Sequence, residues 1–140
     1  MNGTKEVTDG NVRCDFPGGF AGDKHNAFTA EGRTKAENSM FNWLSKLLKW
    51  RRNNMVITKG KQIQFIPYKG VYVIARQWND QTILTILNGT SQPVTLPLDR
   101  YAEVIGNHQE AKDVISGRKV KLGSELQLKA RDTKVIELSM

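Results

Sequence analysis

The stretch Thr34–Arg52, TKAENSMFNWLSKLLKWRR, decides how the rest of the 140-residue chain is read. Thr34 and Glu37 stand three apart, the spacing of a capping box, in which hydroxyl and carboxylate each satisfy a backbone donor left unpaired at a helix start. A helix is expected from this point. Wound at ~3.6 residues per turn, it carries Met40, Phe41, Trp43, Leu44, Leu47, Leu48 and Trp50 on one side and Asn42, Ser45, Lys46 and Lys49 on the other. The apolar arc covers about half the cylinder, wider than the ~100° stripe that serves one small core. Such a helix calls for two neighbours, one body downstream and another upstream.

Upstream, Met1 to Arg33 is rich in Gly, Asp, Asn and Thr and holds no periodic segment. A lead of this length is either disordered or a functional loop that lies against something. Phe16, Phe20 and Phe28 favour the loop, with Pro17-Gly18-Gly19 fixing a turn that presents them.

Downstream, the period changes to 2. Met55 to Thr58, Gln62 to Pro67, Val71 to Trp78 and Gln81 to Leu87 read as short strands, joined by turns at Lys59-Gly60, Lys69-Gly70 and Asn79-Asp80. Val71, Val73 and Ala75 alternate with Tyr72, Ile74 and Arg76, whereas Thr82 to Leu87 is apolar on both faces and so belongs in the middle of a sheet. Gln92 to Leu98, with Pro93 and Pro97, is an edge. Asp99 to Ile105 is ambiguous. Ala111 to Ile115, Arg118 to Leu122, Glu125 to Leu128 and Thr133 to Leu138 complete the set. The expected fold is mainly β, one N-terminal amphipathic helix followed by an antiparallel Greek-key β-sandwich.

With 39% hydrophobic and 25% charged residues the chain can build a core. Its 21 Lys and Arg against 14 Asp and Glu give a net charge of +7 and raise the question of nucleic acid. The basic residues are spread along the chain, and the one run, Lys49-Trp50-Arg51-Arg52, ends the helix where cations suit the dipole. No nucleic-acid partner is expected, and no apolar run is long enough to span a bilayer. The single cysteine, Cys14, makes no disulfide within the chain; a small buried thiol is its plainer reading, a low-pKa thiol beside Arg13 the other.

Catalysis needs a nucleophile, a base and an orienting group together, and the supply is thin. His25 and His108 lie in polar loops without a Ser or Cys partner, and both read as solvent-exposed. Trp50 and Trp78 could stack on sugar rings, although the apolar arc and the strand end make packing the plainer reading for each.

Asp15-Phe16-Pro17-Gly18-Gly19-Phe20, Asp23, Asn26-Ala27-Phe28-Thr29, Gly32-Arg33, Glu37-Asn38 and Leu47-Leu48-Lys49-Trp50-Arg51 resemble the end of the catalytic barrel in glycoside hydrolase family 13. The likeness is to α-amylases and neopullulanases of the starch-utilisation type found in Bacteroides-like bacteria. Gly60-Lys61, Gln64 to Pro67, Val71 to Arg76 and Leu87-Asn88-Gly89 resemble the opening of that family's C-terminal β-sandwich. The resemblance implies three parts: residues 1–33 as the last barrel loop, 34–53 as the last barrel helix, and 54–140 as the sandwich. It implies a parent that hydrolyses α-1,4-glucans such as starch, maltooligosaccharides and cyclodextrins with retention, using three carboxylates upstream of Met1, so that this chain alone is expected to be inactive. Asp9 and Arg13 resemble an Asp and Arg pair that contacts glucosyl units in some relatives, although Gly10 stands where the family has Pro; solvated loop charges are the other reading. No cofactor is expected in these residues, with calcium in the parent, a periplasmic or secreted location, the barrel and its α-glucan as partners, and self-association through the helix when the barrel is absent. Two other readings stay open: a stand-alone carbohydrate-binding sandwich using Trp50 and Trp78, and a basic nucleic-acid module.

Overall fold

A computed structural model describes residues 15–138. The described residues belong to two compact units that divide between Ser45 and Lys46.

In the first unit the loop before the helix is fixed by its own turns. The Ala27 amide donates to the Pro17 carbonyl at 2.9 Å, and Ala27 is buried. Asn26 sits wedged between two glycines: a Cβ at Gly32 would run into its carbonyl oxygen, and one at Gly18 (φ +107) into its side chain. Phe16 and Phe28 meet edge to face with centroids 4.7 Å apart. The expected turn at Pro17-Gly18-Gly19 is present; the part of the lead before residue 15, with Asp9, Arg13 and Cys14, lies outside the described residues.

Helix α1 (Lys35–Asn53) begins as the capping box predicts. The Thr34 amide donates to Glu37 Oε2 at 2.8 Å, and the Glu37 amide to Thr34 Oγ1 at 3.3 Å. Its basic last turn, Arg51 and Arg52, meets the negative end of the dipole.

Met55 to Thr58, expected as a strand, is instead a second helix, α2 (Met55–Lys59). The β-branched Val56, Ile57 and Thr58 favour a strand locally, but the Asn54 side chain accepts the Ile57 amide at 3.3 Å as an N-cap, and Val56 is buried against Ile83 and Val135. Burial on the sheet outweighs the few tenths of a kcal/mol of propensity at stake.

The strands are β1 (Lys61–Gln64), β2 (Val71–Trp78), β3 (Gln81–Asn88), β4 (Val94–Pro97), β5 (Glu110–Asp113), β6 (Lys119–Lys121), β7 (Glu125–Leu128) and β8 (Thr133–Leu138). The ambiguous Asp99–Ile105 is helical, a 3-10 turn over Asp99–Tyr101 running into α3 (Ala102–Ile105). One antiparallel sheet has the order β1-β2-β3-β8-β5-β6, and β4 pairs with β7 in a second. β2 and β3 form a hairpin in which Trp78 faces Gln81, so Asn79 and Asp80 make a two-residue turn, Asn79 taking φ 53. β8 pairs with β3 although four strands separate them in the chain, the non-sequential pairing that distinguishes the sandwich from a plain meander.

β3 is central, as its two apolar faces require. On one face Leu84 and Ile86 join Val71, Val73, Ala75 and Ile136 in the main core, closed from the other side by Leu96, Leu126 and Leu128 of the small sheet and by Tyr101, Val104 and Ile105. On the other face Ile83 and Val135 meet Val56, with Leu47, Trp50, Ile57 and Trp78 packed around them. The alternation in β2 is as read, with Val71, Val73 and Ala75 buried and Tyr72, Ile74 and Arg76 half-buried.

Candidate functional site

Two polar clusters deserve a chemical reading, one in each unit. At the start of α1, both His25–Glu37 distances from the ring Nε2 are short, 2.9 Å to Oε1 and 3.0 Å to Oε2. The same carboxylate accepts the Thr34 amide, so it caps the helix and holds the loop at once. His25 was expected to be solvent-exposed; it is part-buried and paired, because Glu37 reaches it across twelve residues of chain. Nearby, Asp23 Oδ2 accepts the Gly18 and Phe20 amides at 2.8 and 3.0 Å.

The electrostatics of the two acids follow from these donors. The Phe20 and Gly18 amides hold the Asp23 carboxyl below its usual range. The Thr34 amide, then the His25 ring, do the same for Glu37. A general acid needs a raised pKa so that it carries a proton to give. Asp23 and Glu37 are pushed the other way, and their role is to accept hydrogen bonds and fix the loop. Arg33 completes the brace: its Nε donates to the Ala27 carbonyl at 2.8 Å, while its guanidinium lies 3.7 Å from the centre of the Phe41 ring.

Around this rigid frame the apolar side chains face outward. Phe16, Phe20 and Phe28 are 59%, 66% and 61% exposed, and along α1 Met40, Phe41, Trp43, Leu44 and Leu48 are exposed as well. No residue of α1 is fully buried.

In the second unit Glu137 ties the helices to the sheet. Its Oε1 accepts from Trp50 Nε1 at 3.0 Å and from Asn54 Nδ2 at 3.1 Å. Trp50 and Trp78 are both half-buried against the Val56–Ile83–Val135 cluster, so the pair does not form the exposed sugar platform that the alternative reading required. Nothing near Glu137 in sequence marks it; its partners lie more than eighty residues away. His108, also expected to be exposed, is half-buried, with Nδ1 2.7 Å from the Ile105 carbonyl and Nε2 enclosed without a hydrogen-bond partner among the described residues. Among the described residues no group of three or more His, Cys, Asp or Glu converges as metal ligands would. Asp9 and Arg13, the two residues expected to touch substrate, lie outside the described residues.

The sandwich matches a known sequence family. The profile of the cyclo-malto-dextrinase C-terminal domain matches residues 62–137, more than half of the chain. The chain belongs to this family. The match begins in β1 and ends in β8, so the family's unit is the sandwich without α1 and α2, which precede it. Among solved structures the fold is similar to that of the α-amylase from Geobacillus thermoleovorans complexed with acarbose, at 21% identity and a TM-score of 0.64, covering 77% of this chain and 24% of that one. It is also similar to AmyP in complex with maltose, at 14% identity and a TM-score of 0.63, covering 75% and 21%. The trehalulose synthase MutB from Pseudomonas mesoacidophila MX-45 aligns at 18% identity and a TM-score of 0.59, covering 81% and 20%. The chain thus spans about a quarter or less of the length of these structures. Residues 62–137 are thus a cyclo-malto-dextrinase C-terminal domain, and the solved structures share its fold.

Proposed function

We propose that this chain is the C-terminal portion of a retaining glycosidase acting on α-1,4-glucans, and that within it the sandwich and α1 support a catalytic barrel supplied by the rest of the parent. The observation that carries the reading is the outward apolar face of α1 on a chain whose sandwich belongs to a glycosidase accessory family. Fully burying a side chain of this size is favourable by roughly 1.5–3 kcal/mol, and about half of that remains unrealised at each of five exposed residues. Covering the face with a barrel would therefore contribute on the order of 5 kcal/mol to holding domain and barrel together. The loop of residues 15–33, stiffened by Asp23, Asn26 and Glu37, would stand as part of the wall of the cleft. The chain itself is expected to hydrolyse nothing, because the nucleophile and acid/base of such a glycosidase would stand on the barrel, and neither Asp23 nor Glu37 has the raised pKa that a general acid needs.

The test combines reducing-sugar release from starch and maltoheptaose with sedimentation of the 140-residue chain. No hydrolysis is expected, together with concentration-dependent self-association that Trp43→Lys and Leu44→Lys abolish. Hydrolysis, or a wild-type chain that stays monomeric at every concentration, would overturn the reading.

A further inference from the structure

At one end of the sandwich a groove of about 500 Å³ runs between the loop after α3 and the turn joining β6 to β7. That volume falls within the ~300–1,000 Å³ of small-molecule sites. Its two walls are pinned together by backbone hydrogen bonds: the Leu122 amide donates to the Gln109 carbonyl at 2.7 Å, and the Leu98 amide to the Ser124 carbonyl at 2.9 Å. The loop wall is itself held from behind, by the Gly106 amide on the Ala102 carbonyl at 2.8 Å and by His108 Nδ1 at the Ile105 carbonyl. The groove is preformed.

Its lining has a definite chemistry. Leu98, Ile105 and Leu122 give an apolar floor. Above it stand Asn107, Gln109 and Ser124, whose side-chain amides and hydroxyl make no hydrogen bond to any other described residue, beside His108 and Asp99, whose Oδ1 already accepts the Arg100 amide. Gly106 and Gly123 open the sides, since a Cβ at either would meet nothing within 4 Å. Past Gln109, Leu122 and Gly123 the hollow continues into a second of about 480 Å³ walled by Glu110 and Lys121. An uncharged amide offers a donor and an acceptor side by side, the pattern that vicinal hydroxyls answer, and an apolar floor suits the C–H face of a sugar ring.

We infer that this groove binds a neutral oligosaccharide, lying along the two joined hollows with its hydroxyls on Asn107, Gln109 and Ser124. The site is remote from Trp50 and Trp78 in the fold, on the opposite side of the main sheet from their cluster. With no Phe, Tyr or Trp in the lining, binding is expected to be weak, suited to holding a long substrate that other sites bind more tightly. The site does not depend on the barrel reading; only the choice of an α-glucan as the first probe rests on it.

The experiment is a titration of the ¹⁵N-labelled 140-residue chain with maltoheptaose and, separately, cellohexaose, followed by amide shifts. Saturable shifts confined to residues 106–110 and 121–124 are expected with maltoheptaose. Asn107→Ala/Gln109→Ala is expected to weaken binding about tenfold, the equivalent of ~1.4 kcal/mol. Gly123→Leu, at a backbone position outside the left-handed region, is expected to fill the groove and abolish binding while the remaining spectrum stays folded. The same shifts from cellohexaose alone would uphold the groove as an oligosaccharide site and count against the α-glucan reading of the parent. Absence of shifts with both sugars, or shifts centred on Trp50 and Trp78, would overturn the inference.

Discussion

Replacing Glu137 with Ala should loosen the seat of both helices on the sheet. Its Oε1 accepts from Trp50 Nε1 at 3.0 Å and from Asn54 Nδ2 at 3.1 Å, both part-buried. Hydrogen bonds to a charged group contribute about 1.5–3 kcal/mol each where they are sheltered, and the half-open setting puts these at the low end. Glu137 also stands opposite Lys112 in the β5–β8 register, a cross-strand pair contributing roughly 0.2–1 kcal/mol. Glu137→Ala is therefore expected to cost about 3 kcal/mol, because it leaves the indole and the amide without an acceptor. Glu137→Gln, which keeps one acceptor without charge, should cost about 1 kcal/mol. Trp50→Phe removes one donor while keeping an aromatic ring in the cluster, and in a double-mutant cycle with Glu137→Ala the coupling should be about 1 kcal/mol. The assay is urea unfolding followed by far-UV circular dichroism with linear extrapolation. If Glu137→Ala lies within ~0.5 kcal/mol of wild type, or if the two substitutions add without coupling, the latch does not hold the helices and the argument fails.

Three further outcomes follow from single sites. The Tyr101 hydroxyl is enclosed without a well-formed hydrogen bond among the described residues, and burial pushes its pKa up against the opposing pull of the Arg100 guanidinium, so Tyr101→Phe is expected to raise stability by about 1 kcal/mol in the same unfolding assay. Because the Glu37 carboxyl is held below its usual range, its contribution is complete at neutral pH and is lost as pH falls through its folded-state pKa; the Thr34 amide resonance should move with that acid transition, and in Glu37→Gln the transition should vanish. Gly70, at φ +78 with a Cβ position that meets the Thr90 methyl, should tolerate Ala poorly, with a loss of about 1–3 kcal/mol on thermal unfolding.

Much of the fold was legible where local chemistry and tertiary demand agree. Thr34 and Glu37 announce the start of α1 three residues apart, and the period-2 pattern of Val71 to Trp78 matches the buried and half-buried alternation of β2. Met55 to Thr58 misleads because three β-branched residues in a row speak for a strand, while the deciding contacts, Val56 on Ile83 and Val135, come from far along the chain. The Asn54 cap was the one local sign of the helix. The polar groups fared worse for the same reason. His25 finds Glu37, and Glu137 finds Trp50, across separations that no spacing rule reports. The oligosaccharide groove takes one wall from residues 106–109 and the other from 122–124, neither of which carries a motif.

The two ends of the six-stranded sheet bear on how the chain can associate with itself. The outer strands are β1 and β6, each only three or four residues long, and lysines stand at Lys61, Lys119 and Lys121. A strand from another molecule adding at either end would find a short template and would bring cationic stems into the new ladder. Growth by edge-to-edge addition, which has no natural stopping point, is disfavoured there. Association through α1 of the kind proposed would cover the apolar face of each molecule instead of extending a ladder. Self-association of that kind would favour small, closed assemblies over fibres, even with the aromatic side chains of α1 in water.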